Sequence, residues 1–319
     1  MVKNRAPMRT IRRWSAKLGG AAVTLLASSF VVFAALAAAP GDPVSQLVGQ
    51  KATAAQRAAM RAELGLDDPL VVRYWHWLTG VLHGDLGTSL TYRQEVSALL
   101  GPRIASTLAL VALSALITLA TGIGLGVFGG VNSRWRPAMN ALTGLGVAIP
   151  GFVAAAVLIG VFAVGLGWFP TFGAGSGFAD RLWHLTLPAL ALSMSGTAYI
   201  AQVTAAAVGE EAGRDHVSTA VGRGLPRSLI LRRHVVRNAA IPVLTVSGLM
   251  AASLVAGAVV VESAFAIDGL GSLLVKSVIS KDYAVVSAVS LIIVTVFVVV
   301  MTVIDAAQAA LDPRLRERR

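Results

Sequence analysis

Side chains with potential chemistry concentrate in one stretch of this chain, residues 209–238, which reads GEEAGRDHVSTAVGRGLPRSLILRRHVVRN. Six arginines give it positive charge: Arg214, Arg223, Arg227, Arg232, Arg233 and Arg237. The stretch lies between two long apolar segments, and a connection of this length is uncommon unless it has structure or a function of its own. Because its apolar residues recur at helical spacing, the pattern predicts a helical element that docks a soluble partner.

The predicted docking element has two short helices joined by a sharp bend. Val217, Ala220 and Val221 recur at i, i+3 and i+4, which gives the first helix a narrow apolar face. Gly224 can adopt the left-handed conformation that ends a helix, and Pro226 suits the first turn of the next one. The two helices are expected to lie along the cytoplasmic face of a membrane.

Charged and small residues complete this element. Glu210 and Asp215 flank the start of the first helix, where negative charge is favourable. Thr219, with the alanine and glycine just named, is small enough to allow close approach to a groove on a soluble protein. His234 and Arg237 are expected to anchor the second helix to the membrane domain or to lipid headgroups.

Two other function classes have candidate residues. An intramembrane serine enzyme would use Ser195, but it would need a membrane-embedded histidine base. The histidines all lie away from the middle of the apolar segments: His76, His83, His184, His216 and His234. An ion-coupled carrier would use Glu262 or Asp305, yet both lie close to span ends, which favours structural or interfacial roles. No lysine has the glycine frame of a phosphate-binding loop, so this chain is not expected to bind ATP through that motif.

Composition places the chain among membrane proteins. Of 319 residues, 55% are hydrophobic and only 13% are charged, and the mean hydropathy is +0.72. The net charge of +11 does not indicate nucleic-acid binding, because the basic residues form no continuous patch with interleaved aromatics. The absence of cysteine excludes disulfides and cysteine-ligated metal sites.

Apolar runs long enough to cross the hydrocarbon core occur six times, which predicts an all-α protein with six transmembrane helices. They lie near 18–39, 104–131, 138–165, 184–208, 239–264 and 284–305. The first run is too long for the apolar part of a cleaved secretory signal and is read as a span. Pro150, Pro188 and Pro242 lie inside or at the ends of spans, where kinks are expected.

Lysine and arginine are concentrated in alternate loops, which sets the orientation of the chain in the membrane. The N-terminal tail, the loops 132–137 and 209–238, and the tail after Asp312 carry 18 of the 27 basic residues. By the positive-inside rule these segments and both termini are cytoplasmic. Residues 40–103 balance six basic against six acidic residues, as expected for the outer side.

The outer region is expected to form a packed cap, with a partner-contact surface as the alternative. Thr53 and Gln56 form a capping box that opens a helix running to Leu64, before Gly65 ends it. A second helix is predicted for residues 70–78, with Tyr74, Trp75 and Trp77 suited to a membrane interface. Tight turns are expected at 84–87, 167–170 and 269–271.

Residues 210–225 and 234–242 resemble the cytoplasmic EAA loop of ABC-importer permeases, in the form it takes in the dipeptide, oligopeptide and nickel branch. Further matches occur in order along nearly the whole chain: Pro40-Gly41-Asp42-Pro43, Leu64-Gly65-Leu66-Asp67, Gly84-Asp85-Leu86-Gly87, Ile149-Pro150, Gly167-Trp168-Phe169-Pro170, His184-Leu185, Val260-Val261-Glu262, Gly269-Leu270-Gly271, Asp282-Tyr283 and Leu311-Asp312-Pro313-Arg314. The long outer region resembles the B-type subunit, as in DppB or OppB. Val221 departs from the pattern, because the family usually has arginine there.

The resemblance implies a type I importer permease with a MetI-like transmembrane domain in the bacterial inner membrane. Residues 1–39 would be the cytoplasmic tail and first span, 40–103 the outer region, 104–311 the five-helix core, and 312–319 a basic cytoplasmic tail. The residues implied in coupling to an ATPase are Glu210, Asp215, Val217, Thr219, Ala220, Val221, Gly224, Leu225, His234, Arg237 and Asn238.

The implied function is ATP-driven import of dipeptides or oligopeptides, with nickel or another small solute as the alternative within the family. The implied partners are a second, homologous permease subunit, two ATP-binding subunits, an extracytoplasmic solute-binding protein and membrane lipid. No catalytic residue, metal site or cofactor is expected on this chain. ATP and magnesium would be bound by the ATPase partners, whose closure would drive alternating access.

Overall fold

The computed structural model describes residues 6–38, 44, 53–63 and 65–311, and these residues confirm the all-α prediction. The helices are α1 (Ala6–Ala38), α2 (Ala54–Glu63), α3 (Leu70–Leu82), α4 (Val96–Val131), α5 (Arg136–Ala148), α6 (Gly151–Leu158), α7 (Gly177–Ala212), α8 (Asp215–Gly222), α9 (Arg227–Ile230), α10 (Arg237–Ala264), α11 (Leu270–Ile279) and α12 (Tyr283–Leu311). π-Helical turns extend α6 over Ile159–Gly165 and join α9 to α10 over Leu231–Val236. The predicted Pro40–Pro43 motif, the helix end at Leu64 and the tail 312–319 lie outside the described residues.

Within the described part of the chain, four helical stretches are long and apolar enough to cross a membrane. They are Gly19–Ala38, Val96–Val131, Arg227–Ala264 and Tyr283–Ala306. A fifth candidate is the pair Ser133–Ala148 and Gly151–Gly165, whose two parts are bent by 100°. The six-span count therefore stays a prediction.

The predicted span over 138–165 is not one continuous helix, because the chain turns sharply at Ile149 and Pro150. Ile149 is extended (φ −80°, ψ 117°), the conformation favoured by a residue before proline. Pro150 has no amide hydrogen and begins the next helix instead of continuing the first. By contrast, Pro188 and Pro242 lie within the continuous helices α7 and α10.

The chain divides into two compact units, Met1–Pro102 with Leu273–Val298 and Arg103–Ser272 with Val299–Arg319. In the second unit α7 is the central helix and packs against α10, α5 and α6. The predicted span 184–208 lies within α7 but does not have the apolar composition of the other spans. The reason is that much of α7 is buried against other helices. Small and polar residues are tolerated at such positions, whereas a surface in contact with lipid favours large apolar ones.

Glycines let α4 approach α7 closely. Gly122, Gly126 and Gly130 recur every fourth residue and therefore share one face of α4. A methyl group at Gly126 would collide with Thr204 and would lie 2.8 Å from the carbonyl oxygen of Ala201. The small-residue repeat thus sets the distance between these two helices, as in other membrane-helix pairs.

Glu262 is fully buried at the end of α10, and its carboxylate caps the start of α11. It accepts hydrogen bonds from Thr107 Oγ1 (2.6 Å) and from the Ser272 amide (3.1 Å). Thr107 Oγ1 in turn accepts the Leu270 amide at 2.8 Å. The predicted structural role of Glu262 is consistent with this geometry, but its position near a span end gives it no water access.

The predicted turn at Gly269-Leu270-Gly271 serves the same site. A side chain at Gly269 would overlap the Glu262 carboxylate, and one at Gly271 would overlap the backbone of Val259. The left-handed residue here is Ala266 (φ 47°), not one of the glycines. The glycines are therefore required for close approach and not for an unusual backbone conformation.

In the first unit, Asp282 plays a similar part. It precedes α12 and accepts hydrogen bonds from the Ser89 hydroxyl and from the Thr91 amide (3.1 Å). Its other carboxylate oxygen faces the Val285 amide in the first turn of α12. A buried carboxylate thus both caps a helix and fixes the loop that follows Gly87.

The outer region largely follows its predicted local structure. The Thr53 amide donates to Gln56 Oε1 (2.9 Å), and the Gln56 amide donates to Thr53 Oγ1 (3.3 Å), which confirms the capping box. Gly65 is left-handed (φ 60°), as a helix-ending glycine requires. α3 extends to Leu82, four residues beyond its predicted end.

Candidate functional site

The arginine-rich stretch contains the predicted short helix α8, and Gly224 ends it as expected. Gly224 is left-handed (φ 72°), its amide donates to the Val221 carbonyl (2.9 Å), and the Leu225 amide donates to the Ala220 carbonyl (3.3 Å). This pair of bonds is the Schellman motif, in which the residue after the glycine also makes an apolar contact. Leu225 makes that contact by packing against the cluster that contains Ala220.

One face of α8 is attached to the longer helices. Val217 and Ala220 are buried against Val208 at the end of α7 and against Ile230 and Val235 in the following segment. Burial of this apolar cluster holds α8 against the end of α7 and the segment before α10. α8 is therefore a fixed part of the second unit.

Two features of the predicted element need correction. Val221 was assigned to the apolar face with Val217 and Ala220, but its side chain is 61% exposed. The neighbouring segments cover only Val217 and Ala220 on this helix. Ala220 was expected to face a partner, but it is 4% exposed and already packed within its own chain. Any surface for a partner must therefore be formed by the other side of α8.

The second predicted short helix is not separate. α9 begins after Pro226 and continues through the π-helical turn into α10, so that Arg227–Ala264 is one long helical stretch. The bend after α8 is real, but the element that follows it is the start of a candidate membrane span. A displacement of α8 would therefore act directly on α10 through Ile230 and Val235.

Glu211, which the sequence interpretation overlooked, is the buried charge of this site. Its carboxylate accepts Asn238 Nδ2 (2.9 Å) and lies 3.1 Å from Arg214 Nε and 3.4 Å from His216 Nε2. These partners come from the α7–α8 connection, α8 and the start of α10. One carboxylate thus connects the three segments that position α8.

Helical periodicity could have identified Glu211. The buried residues Ala201, Thr204, Val208 and Glu211 on α7 follow one another at intervals of three, four and three residues. Extending that stripe from the apolar residues predicts that Glu211 points inward and that Glu210 points outward. The sequence interpretation instead relied on the family motif, in which Glu210 is the matching position.

Glu210 lies in the last turn of α7 and not at the start of α8. Its carboxylate pairs with Arg214 Nη2 at 2.9 Å on the surface. This hydrogen bond, together with the charge of Glu211, raises the pKa of the Arg214 guanidinium above its usual value. An exposed pair of this kind contributes little to stability.

The remaining predicted residues lie around α8. Asp215 is its first residue, as predicted, and the Thr219 hydroxyl donates to the Asp215 carbonyl (2.9 Å). His234 contacts the His216 ring at 6.3 Å between centroids, which ties the segment before α10 to α8. Arg237 is exposed at the start of α10.

We expect Glu211→Ala to lower the free energy of unfolding by about 1–3 kcal/mol, because it removes hydrogen bonds to a charged group. It should also loosen α8, so trypsin should cleave after Arg214 and Arg223 faster than in the wild type. Thermal unfolding and limited proteolysis of the purified protein measure both effects. Glu210→Ala is the matched control: it removes the neighbouring but exposed carboxylate. Equal behaviour of the two variants would show that Glu211 does not hold α8.

Comparison with known proteins places this architecture in a family. The model for the binding-protein-dependent transport system inner membrane component matches residues 122–317. A second model, for the N-terminal part of the membrane component of such systems, matches residues 10–111.

Individual relatives match over nearly their full length. The glutathione transport system permease protein GsiC of Salmonella typhimurium is 36% identical over 302 residues, which cover 94% of this chain and 97% of that protein. The probable peptide ABC transporter permease protein y4tP of Sinorhizobium fredii is 33% identical over 294 residues, covering 89% and 93%.

A solved structure shares the fold. The inward-facing MetNI methionine ABC transporter contains a chain that superposes with a TM-score of 0.58 at 18% sequence identity. The match covers 68% of this chain and 97% of that chain. At this level of identity the likeness establishes the fold, which is the predicted MetI-like one.

Proposed function

This chain belongs to the family of inner membrane components of binding-protein-dependent transport systems, and we propose that it is the permease subunit of an ATP-driven peptide importer. The intramembrane-enzyme reading is set aside, because membership in this family makes the chain a transport component. The proposal assigns it half of a translocation pathway and no ATP hydrolysis of its own. ATP and magnesium are assigned to partner subunits.

The observation that carries the proposal is the geometry of α8. This short helix is fixed on one side by Val217 and Ala220, while its other side is open to solvent with Val221 exposed. A helix that is attached to long membrane helices and presents a free face is suited to transmit force from a soluble protein. Because α8 packs against Ile230, which continues into α10, a movement of α8 would be passed on to a helix that enters the membrane.

The proposed assembly has a second permease of the same family, two ATP-binding subunits and an outer solute-binding protein. ATP binding drives the change only if ATP binds the closed ATPase pair more tightly than the open pair. Closure then brings the α8 helices of the two permeases together and rocks their helical bundles. The arginine-rich stretch and both termini are assigned to the cytoplasm, with six spans in all.

A peptide substrate is proposed from the relatives, whose names specify glutathione and peptide transport. Glutathione is itself a small peptide, so both names point to solutes with a peptide backbone and charged ends. Nickel or another small solute is the alternative within the proposed family. The solute-binding partner is expected to make most of this choice.

The direct test is transport by the assembled system. The tagged chain, purified in mild detergent with its co-expressed companions, should carry two ATP-binding subunits identifiable by mass spectrometry. In liposomes the complex should take up labelled dipeptides or glutathione only when ATP and the binding protein are supplied. Uptake by the isolated chain under an ion gradient would instead establish a secondary carrier.

The exposed face of α8 provides a sharper prediction. Val221→Asp should reduce ATP-dependent uptake by about tenfold or more, because a charge at an apolar contact costs at least about 1.4 kcal/mol of interface energy. The variant should still insert in the membrane and unfold at the wild-type temperature, since Val221 packs against little within its own chain. The measurement is uptake together with ATPase activity of the complex.

Ser133→Asp is the control for this variant, since it adds a carboxylate to the basic connection 132–137, at an exposed position. It should leave uptake within about twofold of wild type, as surface substitutions away from special features usually do. Wild-type transport by Val221→Asp would contradict the assignment of α8 to coupling.

A further inference from the structure

α3 has two apolar faces, and only one of them is covered by protein. Tyr74 and Trp77 face α1: the Tyr74 ring lies 5.1 Å from Phe30, and the Trp77 ring lies 5.9 Å from Phe33. The Tyr74 hydroxyl also bonds to Ser29 Oγ at 2.8 Å. This face attaches α3 firmly to α1.

A second face of α3, about 110° around the helix from Tyr74 and Trp77, is an exposed apolar stripe. Val71, Trp75 and Leu82 lie at positions i, i+4 and i+11, within about 40° of one another around the helix. Their exposures are 65%, 61% and 75%. Large apolar side chains aligned on one helix face mark a contact surface for lipid or protein.

The position of α1 indicates what covers this stripe. Phe30 and Phe33 belong to the candidate span Gly19–Ala38 and precede its end by eight and five residues. At 1.5 Å per residue, α3 therefore crosses α1 about 8–12 Å inside that end. This is the depth at which amphipathic helices lie in the boundary between headgroups and acyl chains.

Length and charge agree with an interfacial position. An apolar segment of 10–14 residues is too short to span and is typical of interfacial or re-entrant elements, and α3 has 13 residues. Acidic residues flank it at Asp67, Asp68 and Asp85, outside the apolar segment. The one charged residue within it, Arg73, places its guanidinium 5.9 Å from the Phe33 ring centre, on the α1 side.

We propose that α3 lies in the outer membrane–water interface and that the stripe of Val71, Trp75 and Leu82 contacts lipid acyl chains. The stripe belongs to a helix attached to α1, whose span is almost entirely unburied within the chain. The outer region is then partly a membrane-embedded element and not only a cap in water. The inference requires α1 to cross the membrane and is independent of the solute transported.

The chain contains no cysteine, so a single introduced cysteine in the full-length protein gives an unambiguous signal. Trp75→Cys and Leu82→Cys test the stripe. His76→Cys, which adjoins Trp75 but lies about 100° around the helix, is the matched control. Each variant is labelled in intact cells with a membrane-impermeant maleimide, and the tagged chain is read by gel shift, with and without its co-expressed companions.

We expect Trp75→Cys and Leu82→Cys to react about tenfold or more slowly than His76→Cys in both conditions, because thiolates do not form in hydrocarbon. Nitroxide labels at the same two positions in lipid nanodiscs should collide with oxygen in preference to a water-soluble nickel chelate. Labelling as fast as at His76 would place the stripe in water. Protection that disappears when the companions are absent would show that a protein partner covers the stripe. Either result would overturn the lipid assignment and leave the transport proposal untouched.

Discussion

Gly126→Leu is expected to lower the free energy of unfolding by about 3 kcal/mol or more, because overpacking at a helix contact cannot be relieved locally. A Cβ atom at Gly126 would meet the Thr204 side chain, and the carbonyl oxygen of Ala201 would lie 2.8 Å away. The carbonyl belongs to the backbone of α7 and cannot rotate aside. α4 and α7 must therefore move apart along the whole glycine face.

The measurement is thermal unfolding and the recovery of monodisperse protein in detergent. Gly124→Leu is the control, since Gly124 lies two residues away on the same helix with nothing within 4 Å of an added Cβ. Both variants gain the same side chain, so only Gly126→Leu should lose folded protein. Equal stability of the two would mean that α4 and α7 do not pack through these glycines.

Glu262→Ala is expected to destabilise the protein by about 3 kcal/mol, because each buried donor left without a partner costs about 1–3 kcal/mol. The donors are the Thr107 hydroxyl and the Ser272 amide. The hydroxyl comes from α4, whereas the amide belongs to the first turn of α11, where backbone amides have no acceptor within the helix. Unfolding temperature and proteolysis near residues 266–272 report the loss.

Two further substitutions separate charge from shape at this position. Glu262→Gln keeps one acceptor oxygen but turns amide hydrogens toward backbone donors, so we expect it to recover only part of the stability. Ser263→Ala alters the adjacent but exposed residue, whose hydroxyl bonds to Val259, and should be close to wild type. A Glu262→Ala variant as stable as Ser263→Ala would refute the capping role.

Local structure was predictable wherever neighbouring residues decide the conformation. The capping box of Thr53 and Gln56 needs only a spacing of three, and the left-handed end of α8 needs only glycine at position 224. Pro150 also acts on neighbouring residues only, but a kink was expected there and the structure has a sharp turn between two helices. A proline within an apolar run can be tolerated inside a helix, as Pro188 is, or can end it, as Pro150 does.

The first short helix and the bend after it were predicted correctly, but its side chains were assigned partly to the wrong faces. Val217 and Val221 are equally apolar, and the sequence offers no reason to bury one and expose the other. The structure separates them because α8 meets α7 and the segment before α10 along a face only two residues wide. The inward direction of Glu211 follows from the periodicity of α7, but its three partners could not be predicted, because they come from segments that are close only after folding.

By itself the sequence determined the class of this protein: an all-helical membrane component with a basic loop, whose turns are set by glycine and proline. These properties depend on composition and on residues a few positions apart. Tertiary structure alone decided which partners the buried carboxylates meet, how closely α4 approaches α7 and which side of α8 is free. Those properties depend on atoms far apart in sequence, such as Thr107 and Glu262, whose meeting is fixed only when the helices pack.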